Sequence, residues 1–453
     1  MSLFVKEKSF YKSFFTLTFI IALQNLVAFS VNLADSIMLG AYSELSLSGA
    51  AVANQIQFLL QMVVNGIVAG LVVIASQYWG QKQTEPIKKI FSVAFWLASG
   101  MSFILAMLAF FIPNQLMGLL TNEAAVIAKG SEYLKIICFS YVIFAITHVV
   151  LGVLRSVETI NVGFWVSLCA LFINISLNYV LIYGKFGFPA MGIRGAAIAT
   201  LIARFVELMM VITYAVFIDK KLRLRVKDIL KVEMTFLMDF KRTGLPTVLS
   251  ATSWGIAMAV QGAILGRLGA STIAASSIAT TIFQVAIVVA GGSSNSSNVI
   301  IGKAVGRGDM SVVKQYAKTL QILFLVIGVG TSLALYAGKL FILDFYNVSA
   351  ETEALAGKFI IVLCITVIGT SYQMPALTGI VAGGGDTKFV LFNDIVFMWC
   401  MVLPVSMLSA VVFKWPVIVT FIALKSDQIL KCAVAAVKVN RFTWVRKLTR
   451  DVA

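Results

Sequence analysis

Apolar runs of roughly 18 or more residues, the length that crosses a bilayer as a helix, recur from one end of the chain to the other. Nothing else in the sequence constrains the fold as strongly. In hydrocarbon every backbone N–H and C=O needs a partner within the protein, so only helices and closed barrels span it. The strand-like alternation of a membrane barrel does not appear. Of the 453 residues, 60% are hydrophobic and 12% charged, too little polar surface to cover a soluble globule of that size. The fold class expected is an all-α membrane protein. Twelve transmembrane helices are predicted, at about 13–40, 46–78, 90–112, 131–153, 161–184, 193–218, 243–266, 270–300, 313–336, 355–382, 389–411 and 416–437. Lys6, Lys8 and Lys12 ahead of the first run resemble a secretory signal, but the run is too long and lacks a cleavage site, so it reads as an uncleaved first helix.

The net charge of +16 is a matter of topology. Basic residues lie in short segments between spans and not in one domain with stacking aromatics, which argues against a nucleic-acid partner. Of the 36 Lys and Arg residues, only Lys129, Lys185, Arg194, Arg267, Lys339, Lys358 and Lys414 fall in alternate, outer segments, whereas the inner segments carry most of the rest. By the positive-inside rule both termini are then cytoplasmic, in a multi-pass protein of the plasma (inner) membrane. Cys138, Cys169, Cys364, Cys400 and Cys432 are scattered through spans without metal-ligand spacing and read as small packing residues.

A shift of 226 residues superposes Leu39-Gly40 on Leu265-Gly266, Ala53 on Ala279, Gly80 on Gly306 and Lys88 on Lys314, and a shift of 227 brings Gly152 onto Gly379. A nearly constant offset over that length marks an internal repeat. The chain therefore reads as an N-terminal six-helix lobe (1–218), a cytoplasmic linker (219–242), a C-terminal six-helix lobe (243–437) and a basic cytoplasmic tail (438–453). The linker is amphipathic and basic enough to lie on anionic headgroups. Because each half has an even number of spans, the two repeats are parallel, with a central cavity expected between them and alternating access as the matching mode of action.

Features present in one half alone point toward function. Asp35 interrupts the first span, where a charge costs about 2.5–3.5 kcal/mol on insertion scales and is therefore paired, protonated or cation-bound. Its repeat counterpart is Gln261. On span five Asn174 and Asn178 lie four apart, on one helix face, and their counterparts are Met401 and Val405. A carboxylate and two carboxamides confined to one lobe suit a proton or a Na⁺ site. The structural alternatives are a helix cap for Asp35 and interhelical amide pairing for the asparagines. In the other direction, Ser293-Ser-Asn-Ser-Ser-Asn298 replaces Ile67-Val-Ala-Gly-Leu-Val72, a polar run that either packs helices together or wets the cavity. Arg204 and Glu207, i and i+3, are expected to neutralise each other, and His148 to be a buried hydrogen-bonding group. Asp394, Lys425 and Asp427 are expected near cytoplasmic ends, served by headgroups. Asn347-Val-Ser349 is a glycosylation sequon of consequence only in a eukaryotic host.

Taken in order, Leu-Ala-Asp35-Ser-Ile-Met-Leu-Gly, the Asn174–Asn178 run followed by Val-Leu-Ile-Tyr-Gly, Gly195-Ala-Ala-Ile-Ala-Thr200 and Gly383-Gly-Gly-Asp-Thr387 resemble the multidrug and toxic compound extrusion (MATE) family over essentially the whole chain. The resemblance implies an antiporter, not an enzyme, that exports small, mostly cationic, amphipathic organic compounds in exchange for H⁺ or Na⁺. It implies no cofactor beyond the coupling ion. The coupling set carried over is Asp35, Asn174, Asn178 and Thr200, with a Na⁺ site, if sodium is the ion, at Asp35, Asn174 and Asn178. Acids found in spans seven and ten of some family members are replaced here by Trp254, Ser371 and Tyr372. Trp254, Phe283, Gln284 and Tyr372 are the substrate-cavity candidates, because aromatics and amides suit planar cations. The chain is expected to work as a monomer in the lipid bilayer. A flippase for a lipid-linked precursor is the alternative within the same broad architecture.

Overall fold

The computed structural model describes residues 4–230, 232–342 and 349–450, and among these the only regular structure is helix. Asn347 of the sequon lies outside them. The first repeat contains α1 (Lys8–Tyr42), α2 (Glu44–Gly80), α3 (Glu85–Phe111), α4 (Pro113–Gly118), α5 (Ala124–Ile137), α6 (Phe139–Ser156), α7 (Asn161–Tyr183) and α8 (Ile193–Thr213), the last continued by π-helical turns to Ile218. After a single short turn, α9 (Lys227–Leu230), the second repeat contains α10 (Met234–Gly266), α11 (Ala270–Arg307), α12 (Met310–Ile342), α13 (Ala350–Met374), α14 (Thr387–Ile395), α15 (Leu403–Met407), α16 (Val417–Lys425) and α17 (Asp427–Arg441). π-Helical turns extend α13 to Val381, bridge α14 to α15, and carry the helix on to Val412.

Eleven of these helical segments are long and apolar enough to cross a membrane. Expected span twelve is present as α16 and α17, with the break at Ser426, and span four is interrupted at Cys138 between α5 and α6. The repeat offset holds in the helices themselves: α1 and α10 start at Lys8 and Met234, α2 and α11 at Glu44 and Ala270, and α7 and α14 at Asn161 and Thr387, each pair 226 residues apart. Local signals set the ends. Glu85-Pro86 opens α3 with an acid toward the helix dipole and a ring whose missing N–H costs nothing there. Gly184 (φ 68°) and Gly308 (φ 80°) stop α7 and α11 in the left-handed region.

The chain divides into two compact units, an N-unit of Leu23–Ala75 with Gln83–Val248, and a C-unit of Met1–Ala22, Ser76–Lys82 and Leu249–Ala453. Lipid tails are as apolar as Leu, so close fit and polar bonds, and not burial from water, hold such helices together. Both units show this. In the N-unit α7 and α6 pack on α8, and α3 packs on α6. Gly66 and Gly70 of α2 lie against the Val248 and Gly244 backbone, so a Cβ at either would clash, and Thr247 Oγ1 donates to Gly66 O at 2.7 Å. The linker docks within the same unit and does not lie free: Lys221 Nζ donates to Val157 O (2.6 Å), Trp96 Nε1 to Ile229 O (2.8 Å), and Lys89 pairs with Glu233 (2.8 Å).

In the C-unit α13 packs on α11, α12 and α17. Repeat partners Gly80 and Gly306 face each other's helix: a Cβ on Gly80 would meet Lys303 O and one on Gly306 would meet Gln77 O. The polar run 293–298 acts here as packing. Thr18 Oγ1 and Ser296 Oγ share a hydrogen bond of 2.7 Å, Ser294 Oγ and Thr378 Oγ1 one of 2.5 Å, and Asn298 Nδ2 donates to Thr378 O at 3.1 Å. Residues 442–450 then strap the end of α2 to the turn at Gly383–Thr387. Trp444 is fully buried against Gly384, where no side chain would fit. Buried Asp386 pairs with Lys438 (2.8 Å) and Arg446 (3.0 Å), while Leu448 N donates to Gln77 Oε1 (2.8 Å) and Gln81 Nε2 to Thr449 Oγ1 (2.8 Å).

Candidate functional site

Asp35 sits in the part of α1 that belongs to the N-unit, opposite α7 and α8. Tyr183 Oη donates to Met38 O at 2.8 Å and ties α1 to the end of α7, one turn from the acid. Helical spacing places Asn174 and Asn178 on one face of α7, and both are wholly buried. Asn178 Nδ2 donates to Asp35 Oδ1 and also to Asn174 Oδ1 (3.1 Å). Asn174 Nδ2 donates to Thr200 Oγ1 (3.2 Å), whose hydroxyl in turn donates to Asp35 Oδ2 at 3.4 Å. Asp35, Asn174, Asn178 and Thr200 therefore form one connected cluster from three helices.

Its electrostatics are unusual for a buried acid. No Lys or Arg nitrogen lies within ion-pair distance of Asp35 among the described residues. Arg204 is committed to Glu207 at 2.8 Å, as their spacing predicts. The carboxylate is thus held by amide and hydroxyl donors alone. Asn178 Oδ1 is buried with no partner, an open acceptor beside the acid. Chemically the cluster can hold the acid in its charged form through two donors, and it can accept a proton or present Asp35, Asn174, Asn178 and Thr200 oxygens to a small hard cation.

The other sequence candidates are placed apart. In the C-unit Phe283 is buried with Lys425 Nζ 5.9 Å from its ring centroid, while Trp254 and Gln284 are exposed. Tyr372 is buried and donates to Gln321 Oε1 at 2.9 Å, which Asn440 also contacts (3.2 Å), so it serves a hydrogen-bonded helix junction. His148 packs against the Phe144 ring, centroids 4.0 Å apart, and makes no hydrogen bond among the described residues.

Sequence reasoning missed the ionic cluster of the C-unit. Lys431, buried, pairs with Asp394 (2.9 Å) and Asp427 (3.5 Å), Ser250 donates to Asp394, and Gln428 donates to Asp427. These groups serve one another and not headgroups. The i, i+4 spacing of Asp427 and Lys431 was the available signal.

The MatE family model matches residues 21–180 and 246–408, one segment in each repeat. The probable multidrug resistance protein NorM of Thermotoga maritima is 26% identical over 440 residues, 94% of this chain and 92% of the relative. The uncharacterized transporter YisQ of Bacillus subtilis is 22% identical over 97% of this chain and 96% of its own. Among solved structures, a mutant of the Vibrio cholerae MATE transporter VcmN superposes with a TM-score of 0.87 at 18% identity, covering 97% of this chain and 98% of that one. With both repeats matched and the fold shared end to end, this chain belongs to the MatE family.

Proposed function

We propose that the chain is a secondary active antiporter that exports cationic or amphipathic organic compounds in exchange for H⁺ or Na⁺ by alternating access. One observation carries the reading: Asp35 is an acid inside a span with no ion-pair partner among the described residues, held by the side chains of Asn178 and Thr200. A permanent ion pair would make such a group structural, whereas a donor-only shell leaves its charge to be settled by an incoming ion. Exchange follows when ion and organic substrate prefer opposite conformations, each shifting the equilibrium by its differential affinity. The multidrug resistance relatives support export of organic compounds, and the distribution of Lys and Arg supports cytoplasmic termini in the inner membrane. The transporter works as a monomer and needs no cofactor.

The test is transport in reconstituted vesicles with proton and sodium gradients imposed separately. One gradient drives uptake of a fluorescent organic cation and the other does not, and Asp35→Asn abolishes the driven component while the protein still folds. Wild-type rates in that variant would overturn the assignment.

A further inference from the structure

The second repeat carries the same arrangement with its charge reversed. Gln261 on α10 stands where Asp35 stands on α1, and Lys425 on α16 lies 225 residues after Thr200 on α8. Lys425 Nζ is 3.5 Å from Gln261 Oε1, matching the 3.4 Å between Thr200 Oγ1 and Asp35 Oδ2. Corresponding helices thus bring neighbouring positions of the repeat to a similar separation, with an acid and a neutral donor in one repeat and a neutral amide and a cation in the other.

Lys425 is the cation left over in the C-unit cluster. No carboxylate lies within ion-pair distance of it among the described residues. Asp427, two residues on, is occupied by Lys431 at 3.5 Å and by Gln428 Nε2 at 3.0 and 2.9 Å, and Asp394 by Lys431 and Ser250. The Phe283 and Phe421 rings, each with its centroid 5.9 Å from the ammonium, supply only cation–π attraction. Gln261 is no better served, since among the described residues its Nε2 reaches only Met398 Sδ at 3.4 Å. Both groups are held in place by a buried apolar core that includes Phe283, Phe421 and Met398, with Lys425 half-buried and Gln261 buried.

We propose that Lys425 and Gln261 form an anion-binding site that takes the carboxylate of an aromatic organic anion or zwitterion. Lys425 supplies the charge, Gln261 Nε2 a second donor, and Phe283 the apolar wall for the attached ring. The site is separate from Asp35, and binding to it is measurable at equilibrium with no gradient, so its failure and a failure of coupled export are distinguishable.

The experiment titrates purified protein in phosphatidylcholine nanodiscs with 2-naphthoate and with neutral 2-naphthamide, by calorimetry. The wild type binds the carboxylate more tightly than the amide. Lys425→Met weakens 2-naphthoate by about tenfold or more and leaves 2-naphthamide unchanged, while Lys425→Arg keeps the preference. Gln261→Asp gives Lys425 an internal counter-ion and removes the preference without deleting the lysine, which guards against a folding defect in the Met variant. Equal binding of the two probes to the wild type, or equal loss of both in Lys425→Met, overturns the proposal. Repetition in phosphatidylglycerol nanodiscs separates the sources of the anion: unchanged affinity supports a substrate carboxylate, and loss of 2-naphthoate binding makes a lipid headgroup the occupant and overturns the substrate assignment.

Discussion

Two buried acidic clusters lie in corresponding lobes, and they are built on opposite terms. In the C-unit Asp394 and Asp427 share Lys431, and Asp386 is gripped by Lys438 and Arg446. In the N-unit Asp35 has amide and hydroxyl donors and, among the described residues, no cation within ion-pair distance. The same residue type is structural in one place and available in the other, and the neighbour decides which. An internal cation fixes the charge of an acid through the whole cycle, whereas an uncharged donor leaves it to vary with the ion that arrives.

The comparison breaks most visibly if the repeats are made alike. Asp35→Gln gives both repeats the same side-chain class at this position, and gradient-driven efflux from vesicles falls to the protein-free background while the thermal denaturation midpoint stays near wild type. Efflux that survives would mean that the C-unit alone couples transport. Next in size is Lys431→Met, which strands Asp394 and Asp427 and costs about 3–5 kcal/mol, read as a large drop in midpoint. Adding Asp394→Asn and Asp427→Asn to that variant restores most of the loss. A Lys431→Met protein as stable as wild type would remove the distinction between the two clusters.

Smaller changes sharpen it. Asn178→Ala deletes a charge-assisted bond worth about 1.5–3 kcal/mol, so the ion concentration for half-maximal efflux shifts by about tenfold or more with drug affinity unchanged. An unmoved ion-response curve would make the asparagines packing groups like the polar run of α11. The smallest effect is expected within that run. Thr18→Val removes its bond to Ser296, which keeps a second one to Ser293 O at 3.1 Å, and costs about 1 kcal/mol of stability with no change in efflux.

Much of this architecture is legible in the residues because lipid leaves so few choices. Apolar runs placed the spans, and the 226-residue offset recurs in helix starts at Lys8 and Met234, Glu44 and Ala270. Asp35, Asn174 and Asn178 were legible as a group because each is polar inside a span while its repeat counterpart is Gln261, Met401 or Val405. The polar side chains at the far end of the chain were not. Asp427 and Lys431 look like a helix end near headgroups, yet both are buried, Lys431 against Asp394 and Asp427, and Asp427 against Lys431 and Gln428. Hydropathy records how apolar a stretch is, and it carries no information on which neighbour a side chain will meet. α10 likewise begins at Met234, well before the expected edge at 243, and Phe236 and Phe240, both expected in the linker, are buried side chains of that helix.

The strap of residues 442–450 has a consequence for the order of biosynthesis. Gln77 and Gln81 are synthesised more than 350 residues before Trp444, Arg446 and Leu448, and the buried Asp386 about 60 residues before them. At about 5–20 residues per second the partners arrive many seconds after α2 does. Until then the end of α2 and the glycine turn lack the ring, the guanidinium and the backbone donors that complete them. These contacts of the C-unit therefore close last, after every described helix has been made.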